Sequence, residues 1–71
     1  MIKKNYAIRV IYNGTGITKT IFSSSIDDFD KAVMVYLNLY RKWGSVKNTS
    51  GSIIEYGARK PIEEWNNIYH V

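Results

Sequence analysis

Along "NYAIRVIY" (residues 5–12), Tyr6, Ile8, Val10 and Tyr12 alternate with Ala7, Arg9 and Ile11. A period of two is the pattern of a half-buried strand, because successive side chains point to opposite faces. "NGTG" follows at 13–16, and Asn and Gly tolerate the positive φ of tight turns, so "ITKTIF" (17–22) is expected to return as the second strand of a hairpin. Register decides which side chains reach the core. A two-residue Asn13–Gly14 turn or a four-residue Asn13–Gly16 loop sets Ile17, Lys19 and Ile21 beside Ile8 and Val10, whereas a three-residue loop sets Thr18, Thr20 and Phe22 there. The first arrangement is the expectation, with Lys19 snorkelling at an edge. It leaves Arg9, Thr18 and Thr20, interspersed with Ala7, Ile11 and Phe22, on a polar outer face of the kind that some sheets use for nucleic acid or a second copy. The plainer expectation for that face is solvent.

The period lengthens in "SSSIDDFDKAVMVYLNLYRKWG" (23–44), where Phe29, Val33, Tyr36, Tyr40 and Trp43 recur at steps of four and three. That spacing predicts a helix whose apolar face lies on the hairpin. Ser25 stands as N-cap with Asp28 three residues on; Asp27, Asp28 and Asp30 suit the positive end of the helix dipole, Arg41 and Lys42 the negative end, and Gly44 the C′ position. At 100° per residue, Ala32, Val35 and Leu39 form a second apolar strip to one side, to be covered either by the C-terminal segment carrying Ile62, Trp65 and Ile68 or by a partner or second copy. Beyond a polar loop, "SVKNTSGS", "IIEYGA" reads as a third strand with Ile54, Tyr56 and Ala58 on one side. Pro61, Glu63, Glu64, Ile62, Trp65 and Ile68 or Tyr69 then suggest a short helix, with a fourth strand as the alternative. The expected architecture is a single α+β domain over residues 1–71, ββαβα, with an antiparallel sheet.

Composition supports a folded chain of marginal stability. Hydrophobic residues are 45% and charged residues 23% of 71, and a core this small supplies only about 3–5 kcal/mol. The absence of cysteine removes disulfides, thiolate chemistry and cysteine metal sites, and accords with a reducing cytoplasm. The basic N-terminal stretch has its apolar run broken by Arg9, so no signal peptide is read, and no run approaches the ~18 apolar residues of a membrane span. Abundant Ile, Lys, Asn and Tyr point to A/T-rich codons, as in a low-GC bacterium or one of its phages.

Catalytic chemistry finds little to stand on. Asp27, Asp28 and Asp30 are explained by the helix dipole, as are Glu63 and Glu64 at the second helix, and the only histidine, His70, is close to the C-terminus. "NGTG" lacks the lysine and following helix of a phosphate loop. The triplets Asn13-Gly14-Thr15 and Asn48-Thr49-Ser50 match the glycosylation pattern by chance. No enzyme, cofactor, metal or small-molecule substrate is indicated. The leading expectation is a small interaction protein, of phage or mobile-element origin, that binds a protein partner or a second copy through Ala32, Val35 and Leu39. The net charge of +4 and the basic stretch "LYRKWGSVK" supply the alternative, a nucleic-acid patch of Arg41, Lys42, Lys47, Arg59 and Lys60.

Overall fold

The computed structural model describes residues 4–68, so Tyr69 and His70 lie outside the described residues. The alternating segment forms β1 (Tyr6–Tyr12), followed by β2 (Lys19–Ile26), the helix α1 (Phe29–Trp43), β3 (Thr49–Glu55) and β4 (Glu63–Asn66). The four strands make one antiparallel sheet in the order β2-β1-β3-β4. β1 is therefore central although it comes first, and α1 carries the chain across it from β2 to β3. The expected short C-terminal helix is replaced by β4, whose Trp65 lies opposite Gly51 of β3.

Opposed residues in an antiparallel pair share a face. The buried residues Tyr6, Ile8 and Val10 thus define the face toward α1, with Ile26, Ser24 and Phe22 from β2 and Ile53 and Gly51 from β3. Trp65 joins them from β4, and Ala32 and Tyr36 close the core from the helix. Each fully buried aliphatic such as Ile8 or Ile53 contributes about 1.5–3 kcal/mol. β3 begins at Thr49, within the stretch expected to be a loop, and it is Ile53 and not Ile54 that faces the helix; Tyr56 and Ala58 lie beyond its end.

The hairpin corrects the expected register. Residues 13–18 all lie in the connection, so neither a two- nor a four-residue loop forms, and Tyr12 pairs with Lys19. Ile11 then faces Thr20 while Val10 faces Phe22, which leaves Ile21 as an extra residue. This bulge turns Phe22 inward against the core and leaves Ile21 exposed.

α1 starts three residues later than the Ser25 cap implies, because Ser23, Ser24 and Ser25 pair with Arg9, Ile8 and Ala7 as strand. Asp28 is the N-cap; its Oδ1 accepts from the Lys31 amide at 3.1 Å. At the other end Gly44 is the C-cap and is right-handed, φ −62°, not a left-handed C′ glycine. The last helical carbonyls find partners farther along the chain. The Thr49 hydroxyl lies 2.9 Å from the Trp43 carbonyl and 2.7 Å from that of Val46, and the Asn67 amide donates to the carbonyls of Gly44 at 2.6 Å and Val46 at 3.2 Å. Orphan carbonyls of a helix end are thereby tied to β3 and to the residue after β4. Thr49 also accepts from the Trp65 indole N–H at 3.3 Å, which satisfies a buried donor.

Candidate interaction surface

The helix is rotated on the sheet relative to its strongest apolar stripe. The line beneath it runs through Ala32 and Tyr36, so Phe29 and Tyr40, expected to face the hairpin, are each 48% exposed. Ala32 is fully buried, and Val35 and Leu39 are half-buried against the core. The three residues singled out as a partner strip thus already rest on the chain's own core. Apolar surface emerges on the opposite flank, where Leu37 is 46% and Met34 65% exposed. Periodicity found part of this flank as an apolar stripe but not its exposure, because it reports the angle between apolar positions and not which of two neighbouring stripes the sheet takes.

Between this flank and β4 runs a groove of about 400 Å³, lined by Val33, Tyr36, Leu37 and Tyr40 of α1 and Ile53, Ile62, Glu63 and Glu64. Aromatic packing backs two of its walls: Trp65 stands edge-on to Tyr40 with centroids 5.5 Å apart and lies 5.7 Å from Tyr36. At the helix start the exposed Phe29 packs edge-on against Tyr6, at 5.4 Å. Glu63 and Glu64 put negative charge on the rim. The Tyr36 hydroxyl is held above the ordinary tyrosine range, chiefly by burial and then by Glu63, Tyr40 and Glu64. The groove is thus apolar at its base, neutral at the Tyr36 hydroxyl and acidic at one edge.

The five residues of the expected nucleic-acid patch fall at two ends of the sheet. Arg41 and Lys42 end α1 and Lys47 lies in the turn into β3, whereas Arg59 and Lys60 follow β3. Seven residues of strand separate the two groups, about 20 Å at 3.3 Å per residue. Lys19, which the alternation had placed at an edge, starts β2 at the same end as Arg41, Lys42 and Lys47. The carboxylates lie elsewhere, with Asp27, Asp28 and Asp30 at the helix start, Glu55 at the far end of β3, and Glu63 and Glu64 on β4. Lys42 is partly engaged, its ammonium 5.5 Å from the Trp43 ring centroid.

On the face away from α1, Arg9 lies between Ser23 of β2 and Ser52 of β3, and a shallow hollow is lined by Arg9, Ile11, Ser50, Gly51 and Ser52. Thr20 shares this face through its pairing with Ile11, whereas Thr18 is in the connection and Phe22 is on the helix side. Serine hydroxyls and the Arg9 guanidinium, with Glu64 opposite Ser52 and Asn66 opposite Ser50 on β4, make this face polar, with Arg9 near its centre. No helix among the described residues is long and apolar enough to cross a membrane. Comparison with family models, with curated proteins and with solved structures finds no match.

Proposed function

We propose that the protein is a small non-enzymatic interaction module that binds a protein partner and self-associates through the apolar flank of α1. The observation that carries this reading is the groove of Val33, Leu37, Tyr40 and Ile62, flanked by exposed Phe29 and Met34. Apolar side chains gathered on one flank of so small a domain are more than scattered surface hydrophobics, and contiguous patches of this kind mark protein contacts. A partner segment that fills the groove covers Leu37 and Ile62 and meets the carboxylates of Glu63 and Glu64 at the rim.

Affinity capture with purified wild type, Leu37→Asp and Ile62→Asp proteins, with and without nuclease, tests the reading. Capture of a protein that survives nuclease and is lost in both variants is the expected result. Capture abolished by nuclease, or unaffected by either substitution, overturns it.

One observation favours a second reading. Lys19, Arg41, Lys42 and Lys47 gather at one end of the sheet, away from the carboxylates of the elements. A nucleic-acid backbone suits such an end, and binding there falls steeply with salt because phosphate contacts release counterions. Retardation of a single-stranded oligonucleotide at low salt, lost in Arg41→Ala/Lys47→Ala and kept in Leu37→Asp, distinguishes it from the first.

A further inference from the structure

The outward face of α1 carries a row that is complementary to itself. Asp30, Met34, Leu37 and Arg41 lie at steps of four, three and four, which at 100° per residue confines them to a band about 60° wide. All four are exposed, and Met34 points away from the core. Asp30 and Arg41 are equidistant from the midpoint between Val35 and Tyr36, and so are Met34 and Leu37. A single twofold axis at that midpoint therefore sets Asp30 against Arg41 of a second copy and Met34 against its Leu37, each pair occurring twice.

From this symmetry we infer that the occupant of the α1 flank is a second copy of the chain, docked helix to helix and antiparallel. The inference rests on the self-association part of the function proposed above and names its geometry. Charge selects the direction: Asp27, Asp28 and Asp30 crowd one end of α1 and Arg41 and Lys42 the other. A parallel pair would oppose like charges at both ends and align two helix dipoles, whereas an antiparallel pair opposes unlike charges and cancels the dipoles. Leu37 belongs to both the row and the groove and Val33 borders the row, so part of the apolar flank is covered in the same step. Steps of four and three are those of helices that pack at a shallow angle of about 20°. An interface of this kind is isologous, and it closes at two copies.

Sedimentation equilibrium on the full chain from micromolar to millimolar concentration tests the geometry, with far-ultraviolet circular dichroism to show that each variant is folded. The wild type is expected to form a dimer. Asp30→Arg, which sets two guanidinium groups together twice over, is expected to weaken the dimer by about tenfold or more. Asp30→Arg/Arg41→Asp, which exchanges the charges, is expected to restore it. Leu37→Asp, at an exposed position, is expected to leave a folded monomer. A wild type that stays monomeric throughout overturns the dimer, and if its capture of another protein is still lost in Leu37→Asp, the interaction reading stands without it. A dimer indifferent to Leu37→Asp, or one that the charge exchange fails to restore, overturns the antiparallel geometry.

Discussion

Replacing Gly51 by alanine is the sharpest test of how the sheet and the aromatic cluster fit together. Gly51 is buried opposite Trp65, and a methyl group there would fall on the indole, 2.6 Å from Cζ2 and closer still to Cη2 and Cζ3. Three ring atoms of a buried side chain cannot retreat as the tip of a lysine can. Trp65 would have to leave its contacts with Tyr36 and Tyr40 and its N–H bond to Thr49. Overpacking a core costs about 1–3 kcal/mol, and alanine returns about 0.4–1 kcal/mol by restricting the unfolded chain. The contact is with the body of a ring, so the upper end applies and the net loss is about 2 kcal/mol. With a urea slope near 1 kcal/mol per molar for a chain of this size, the unfolding midpoint followed by circular dichroism should fall by about 2 M. In a Trp65→Leu background the obstructing ring is gone, and the same glycine substitution should be neutral or slightly stabilising. A Gly51→Ala protein with the wild-type midpoint, or an equal loss in both backgrounds, would refute the argument.

Thr49→Val should cost about 1–3 kcal/mol, because it strands the Trp65 indole N–H and removes the hydroxyl from the Trp43 and Val46 carbonyls; Thr49→Ser should recover most of it, with chemical denaturation as the assay. Asp28→Ala should cost about 1 kcal/mol by removing the helix cap, and Ser25→Ala should leave the melting temperature nearly unchanged, since Ser25 is a strand residue. The raised folded value of Tyr36 means that an unfolded chain loses the phenol proton more readily than the folded one. Its stabilising contribution is therefore full below about pH 10, the ordinary tyrosine value, and is lost as pH rises through the folded value. Thermal melts in that alkaline range should fall with pH, and Glu63→Gln should soften the fall; a flat profile through the tyrosine titration would exclude this role.

Local signals carried the fold a long way. Alternation at Tyr6–Tyr12 located β1, and the charges from Asp28 to Lys42 bounded the helix within a few residues, because caps and dipoles act over one turn. The α+β class and antiparallel sheet followed from these elements. The losses came where distant residues decide. Gly51 and its serine neighbours have poor strand propensity, yet the position needs a residue without a side chain because Trp65 covers it. Pro61 with Ile62, Trp65 and Ile68 has helical spacing, but Trp65 alone of β4 turns inward, and pairing with β3 outweighs local preference. The apolar flank was half-legible. Phe29, Val33 and Tyr40 were evident as an apolar stripe, while its exposure depended on the sheet choosing Ala32 and Tyr36 instead.

The bulge at Ile21 sits in β2, one of the two edges of the sheet, and β4, the other edge, is only four residues long. An edge of regular pitch is a template on which further chains can stack without end. Here the register slips partway along one edge and the other is too short to hold a new strand firmly, with Lys19 adding charge at the start of the first. The bulge thus has a second consequence beyond aiming Phe22 into the core: together with the shortness of β4, it leaves neither edge of the sheet as a long, regular template for further strands.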